Sequence, residues 1–209
     1  MTVIAIDGTF ASGKGTLAKR LAAHYDLQHL DTGKLYRAVA QTLLSNNQNP
    51  DDAAIAQKAA EHLDVSLLEN PILKSGPVGV AASKVAIHPG VRAALLNFQR
   101  KFAAQGAVLD GRDIGTVICP DADVKLYINA NPKERAKRRL AELQGYGEDL
   151  DFETVLAQLK ERDHRDSSRT EAPLKPADDA HLIDTTNLSI QDTLNAAITI
   201  CEVILKPEL

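Results

Sequence analysis

Val3-Ile4-Ala5-Ile6-Asp7-Gly8-Thr9-Phe10-Ala11-Ser12-Gly13-Lys14-Gly15-Thr16 is the stretch from which the rest of the chain is read. Val3 to Asp7 is a short apolar run that meets a glycine-rich turn at Gly8, and beyond Gly15 the residues Leu17, Ala18 and Leu21 recur at helical spacing. The order is strand, loop, helix. Glycines let the backbone turn its N–H groups toward an anion, the helix adds its positive end, and a lysine adds a point charge. Gly8 through Lys14 fits the pattern G-x-x-x-x-G-K, with Thr16 one place later than the strict signature because Gly15 intervenes. Gly8, Ala11, Ser12, Gly13, Lys14, Gly15 and Thr16 are therefore expected around a triphosphate. Lys14 would face the β- and γ-oxygens, and Thr16 would contact magnesium directly or through water. The competing reading is a glycine-rich turn with a chance lysine; the strand before it, the helix after it and the nearby threonine count against that.

Outward from the loop, a second amphipathic helix is expected after Asp31-Thr32-Gly33, with Leu35, Val39 and Leu43 on one face and Tyr36, Ala40 and Leu44 beside it. From 46 to 90 the character changes to clustered Asn, Gln, Asp and Pro, a helix-like stretch to Leu63, then short apolar pieces broken by Pro71, Gly76, Pro77 and Gly79. This reads as an insertion outside the main sheet. A helix from Val91 to Ala104, a strand from Ala107 to Asp110 and another from Val124 to Ile128 follow. Asn131-Pro132-Lys133-Glu134 opens a helix that Gly145 and Gly147 end. Asp151 to Arg169 is a further helix, Leu182 to Asp184 the last strand, and Ser189 with Asp192 opens a closing helix bearing Leu194, Ile198, Cys201 and Leu205. Strands alternating with helices imply an α/β fold with a parallel sheet covered on both faces.

With 209 residues, 44% of them hydrophobic and 25% charged, the chain can bury a substantial core without staples. A formal charge of −4 argues against broad binding to nucleic acid or an anionic membrane, so anion binding has to be local. Cys119 and Cys201 both stand in apolar surroundings and read as two buried reduced thiols. The first residues show neither a basic region nor a long apolar stretch, which leads to the expectation of a cytoplasmic protein. Without a heptad repeat, a monomer is expected. The six histidines are scattered without convincing partners and read as structural or exposed.

Transfer of phosphate to a second anion needs cations that face a second pocket. Arg162, Arg165, Asp166 and Arg169 share one helical face beside an apolar stripe of Phe152, Val155, Leu156 and Leu159, which places them at a cleft edge. A salt-bridged solvent face is the alternative. Arg135, Arg138 and Arg139 form a second cluster at helical spacing, open to the same two readings. Asp110-Gly111-Arg112-Asp113 follows a buried strand, where ligands meet an open α/β sheet, although a plain turn also uses Asp-Gly. Asp110 would hold magnesium through water, Arg112 would bind an acceptor phosphate bidentately, and Asp113 would accept from an exocyclic amine.

The ordered set Ile6-Asp7-Gly8 through Thr16, Leu30-Asp31-Thr32-Gly33 with Tyr36-Arg37, Ala81-Ala82-Ser83 with Val91-Arg92, Asp110 through Thr116, and Glu161 through Arg169 resembles the bacterial cytidylate kinase family over nearly the whole chain. The resemblance implies a P-loop NTPase fold: a five-stranded parallel sheet with helices on both faces, a small monophosphate-binding insertion over about 46–90 and a short lid over about 138–162. It also implies that Ser83, Arg92 and Asp113 read cytosine, that Asp166 and Arg162 hold the ribose, and that Arg37, Arg112 and Arg169 grip the phosphate. Thr32 stands where the family usually has serine, and Tyr36 would pack near the acceptor. Residues 46 to 92 are short for the small antiparallel sheet usual in this insertion and lack one strand region after Leu73.

The activity so implied is transfer of the ATP γ-phosphoryl group to CMP or dCMP, with Mg2+, by charge stabilisation from Lys14, Arg112, Arg138 or Arg139, and Arg165. The segment around Gly145 and Gly147 would close over ATP. One rival is a small-molecule kinase with another acceptor. A GTP-dependent switch is the other, and the Asn-Lys-x-Asp segment it would use does not occur.

Overall fold

A computed structural model describes residues 1–206. The opening strand β1 (Val3–Gly8) leads through the glycine-rich loop into α1 (Lys14–His24). Next come β2 (Gln28–Asp31), α2 (Thr32–Ser45) and α3 (Ala53–Glu61). Two single helical turns, Val65–Glu69 and Pro71–Lys74, precede α4 (Gly76–Val85) and α5 (Pro89–Ala103). After β3 (Ala107–Gly111) a wide turn at Ile114–Ile118 leads to β4 (Val124–Asn129). The chain then forms α6 (Pro132–Gly145), α7 (Phe152–Ser168), β5 (His181–Asp184) and α8 (Ile190–Leu205).

All the strand pairings are parallel, and the order is β2-β3-β1-β4-β5. β1 is central, so both its faces are covered, and its residues Val3–Ile6 are apolar without interruption, as buried parallel strands are. The alternation of its side chains divides the core. Ile4 and Ile6 join Leu17, Leu21, Leu126, Ile128 and Cys201 on the α1 and α8 side, whereas Ala5 joins Leu109, Ile114 and Ile118 on the other. A third core contains no sheet residue: Leu35, Val39 and Leu43 of α2 pack on Ala56 and Ala60 of α3, Ala81 and Val85 of α4, and Val91 and Leu95 of α5. No helix among the described residues is long and apolar enough to cross a membrane.

Three local expectations are corrected. The pieces around Gly76, Pro77 and Gly79 form the continuous helix α4, because Pro77 lies in the first turn, where its missing N–H breaks no helical bond. Between 46 and 90 every regular element is helical, joined by short turns, without a strand. Cys201 is buried but Cys119 only half-buried; both thiols are free.

Candidate active site

The loop between β1 and α1 is shaped by three residues with positive φ: Gly8 at 151°, Ala11 at 59° and Gly13 at 91°. At Gly8 the constraint is also steric, because a Cβ there would stand 2.0 Å from the Ile128 carbonyl oxygen. Ser12 Oγ donates to the Thr9 carbonyl at 2.9 Å, and Thr185 Oγ1, just past β5, donates to the Ser12 carbonyl at 2.8 Å. Arg138 of α6 donates to the Thr185 carbonyl at 2.7 Å. The loop is thus braced from the far edge of the sheet. Lys14 is buried, and its ammonium is pushed down to about 7, first by burial and then by the charge of Arg112. A nearby anion would favour the charged form and so offset both effects.

A cleft of about 810 Å³ opens beside the loop. Of the residues singled out in the sequence, Ala11, Ser12, Gly13, Lys14, Gly15, Thr16, Thr32, Tyr36, Arg37, Ser83, Arg92, Asp110, Arg112, Asp113, Arg138, Arg139, Arg162, Asp166 and Arg169 line it. Gly8 lies beneath the loop. Arg165 is not part of the lining; it pairs with Glu161 and donates to Ser83 Oγ at 3.2 Å.

Opposite the loop, positive charge exceeds negative. Arg112 Nε bonds Asp166 Oδ2 at 2.8 Å, and Arg92 pairs with Asp113. Arg162 stands 4.0 Å from the same Asp166 oxygen, and Arg139 pairs with Glu142 at 2.8 Å. Arg37 donates to the Leu73 carbonyl and Arg169 to the Ala172 carbonyl. The Nε atoms of Arg162 and Arg169 are buried without a hydrogen-bond partner. Burial pushes the Arg162 guanidinium down to about 9 despite Asp166, with Arg112 and Arg37 adding repulsion. Such a cluster gains from an incoming phosphate.

Several participants escaped sequence reasoning. Asp31 and Asp110 face each other in register on β2 and β3. Burial, reinforced by Asp110, raises the Asp31 carboxyl above its usual range. The reading of the histidines as partnerless is corrected at His29, whose Nε2 lies 2.7 Å from Asp110 Oδ1. Asp7 accepts from the Ile114 and Gly115 amides at 2.8 Å each, and burial raises its carboxyl to about 6. Arg135, read in the sequence as one cluster with Arg138 and Arg139, does not line the cleft but turns inward to the Ala130 and Phe10 carbonyls and to Asp163. A polar residue ending a buried strand was the available signal for Asp7; none marked His29.

The parallel sheet, the glycine-rich loop at the end of its central strand and the helix that follows define a P-loop α/β protein of the NTPase class. The family model described as cytidylate kinase matches residues 4–203, and the chain belongs to that family. It is 58% identical over 202 residues to the cytidylate kinase of Xanthobacter autotrophicus, covering 96% of this chain and 97% of that one. It is 56% identical to the cytidylate kinase of Nitrobacter winogradskyi, covering 96% and 95%. Among solved structures, an uncharacterized protein from Eubacterium ventriosum aligns over 95% of this chain and 96% of that one, with a TM-score of 0.55 at 18% identity, a likeness of fold.

Proposed function

We propose that the chain transfers the γ-phosphoryl group of ATP to the phosphate of CMP or dCMP, giving ADP and the corresponding diphosphate, as a monomer in the cytoplasm. The observation that carries this reading is the arginine-lined half of the cleft, where Arg37, Arg92, Arg112, Arg138, Arg139, Arg162 and Arg169 converge and the buried Nε atoms of Arg162 and Arg169 have no partner. A phosphate acceptor is already ionised at neutral pH, so the reaction needs positioning and charge stabilisation rather than a strong base. Lys14 and the loop amides hold the β- and γ-phosphates. Arg37, Arg112 and Arg169 seat the acceptor phosphate in line, Ser83, Arg92 and Asp113 read the base, and Asp166 with Arg162 holds the ribose. Arg138 and Arg139 meet charge on the transferring group. Arg165, bonded to Ser83 Oγ, orients the base-reading hydroxyl in this arrangement.

The donor set fits magnesium carried by the nucleotide. No group of three His, Cys, Asp or Glu forms a cage among the described residues, whereas Asp110 Oδ2 would lie 3.7 Å from a Cβ on Gly15, beside the phosphate loop. Thr16, Asp110 and Asp31 are the residues to hold the ion or its waters, and its chemistry there is neutralisation of phosphate charge. Residues 46–90 act as the acceptor-binding insertion and 138–162 as the lid. The loop between α6 and α7 touches the insertion where Glu148 Oε1 accepts from the Gly76 amide at 2.9 Å, at the start of α4.

The test is ADP release with ATP and magnesium in the presence of CMP, dCMP, UMP, AMP or GMP, for the wild type and for Lys14→Ala and Arg112→Ala. Turnover on CMP or dCMP, lost in both variants, supports the reading. Release that no acceptor stimulates overturns it.

A further inference from the structure

Phe10 has no place among the expected phosphate contacts, yet it meets three arginines. Its ring centroid lies 4.0 Å from Arg162 Cζ and 5.4 Å from Arg139 Cζ. Its carbonyl accepts from Arg135 Nη1 at 3.1 Å, and Arg135 is clamped in turn by Asp163 at 3.0 and 2.7 Å. Arg135 and Arg139 are one turn apart on α6, and Arg162 and Asp163 are adjacent on α7. One loop residue therefore joins the phosphate loop to both arginine-bearing helices, through its backbone and its ring.

The face of an aromatic ring is electron-rich and attracts a guanidinium without accepting its in-plane N–H bonds. Arg162 is the residue that needs this. It is half-buried, its buried Nε has no hydrogen-bond partner, and its nearest carboxylate oxygen is 4.0 Å away. A carboxylate at position 10 would consume the positive charge, and an aliphatic side chain would offer the two guanidinium groups no electron-rich face, leaving only Glu142 and the more distant Asp166 to offset their repulsion.

We infer that Phe10 is a positioning residue for phosphoryl transfer, an aromatic platform that holds Arg162 and Arg139 against the loop without consuming any of their N–H donors. In its kinetic part the inference rests on the acceptor reading above. It goes further in giving a triphosphate-loop residue control over cations on the opposite wall.

The experiment compares Phe10→Leu, which keeps apolar bulk, with Phe10→Tyr, which keeps the ring, each alone and on an Arg162→Met background, with thermal unfolding to confirm folding. The expected result for Phe10→Leu is a kcat lowered roughly 5- to 20-fold with the KM for ATP within about two-fold of wild type, recovery of most of the rate in Phe10→Tyr, and a clearly smaller further loss on the Arg162→Met background, where only the Arg139 contact remains. Equal losses in the two variants, or a loss that persists undiminished on the Arg162→Met background, overturns the inference. Arginine side-chain NMR supplies a second readout: Arg162 protons shifted upfield by the ring in wild type and Phe10→Tyr, but not in Phe10→Leu, support the platform, and unchanged shifts in Phe10→Leu overturn it. A wild type that no acceptor stimulates sinks the acceptor reading, and the NMR comparison then decides the platform alone.

Discussion

A lysine whose ammonium is pushed down to about 7 by burial is partly neutral near physiological pH, and a phosphate arriving beside it restores the charge. Binding of ATP should therefore take up protons around pH 7 to 8. Calorimetry in two buffers of different ionisation enthalpy measures that uptake, and Lys14→Met should abolish it together with binding. The same shift has a stability consequence of known sign. A folded pKa below the ordinary 10.5 means that stability contributed by Lys14 is present above 10.5 and lost as pH falls through about 7. Lys14→Met should accordingly be more resistant to urea than wild type at pH 7. Asp7 has the opposite shift. Its carboxyl is raised from 3.8 to about 6, so its contribution is full below 3.8 and lost as pH rises through 6. Replacement by Asn still costs stability, because a carboxylate accepts from both the Ile114 and Gly115 amides while one end of an amide group cannot. Asp7→Asn should lower unfolding free energy by about 1–3 kcal/mol in urea titration at pH 7.

Between elements, Glu148 in the loop after α6 reaches the insertion by a hydrogen bond from the first amide of α4. The carboxylate also sits at the positive end of that helix. Glu148→Ala should raise the KM for CMP several-fold, as a loss of roughly 1–1.5 kcal/mol in holding the closed arrangement would. Gly76→Ala should reproduce the effect with Glu148 intact, since a Cβ there would lie 2.6 Å from Glu148 Oε2. An unchanged KM in both variants refutes the contact's role. The helices of this region also show where sequence reading reaches its limit. Period and caps marked α6, α7 and α8, whose side-chain caps Asn131, Asp151 and Ser189 are all in place. α4 was missed because a proline and two glycines in four residues outweigh a short apolar stripe, and Ser75, which precedes it, makes no side-chain cap. β2 offered only Leu30 as a buried residue in Gln-His-Leu-Asp, and pairing with β3 alone makes it a strand. The cleft residues were largely legible, since arginines at three- and four-residue spacing must share a face. The direction of each side chain was not, so Arg135 and Arg165 read like their neighbours although one braces the loop and the other holds Ser83.

For the molecule as a whole, the sheet ties its chemistry to its core. Ile6 is fully buried one residue before Asp7 and two before the loop, so shortening it acts on stability and on loop geometry together. Ile6→Ala should cost about 2–5 kcal/mol, read from the urea midpoint, with activity at low temperature reduced less than stability. Strand alternation with helices revealed the class of fold, while strand order lay beyond any local pattern. That order bears on how the chain is made. The central strand β1 is translated first, yet its partners are Ala107–Gly111 on one side and Val124–Ile128 on the other. Until those residues leave the ribosome, the segment Val3–Ile6 has no ladder to join, a wait on the order of ten seconds at ordinary elongation rates. The nascent chain thus emerges with its central strand unpaired and its nucleotide loop without the neighbouring strands that frame it. Assembly of the phosphate site is therefore a late event in the making of this protein, and waits on more than half of its chain.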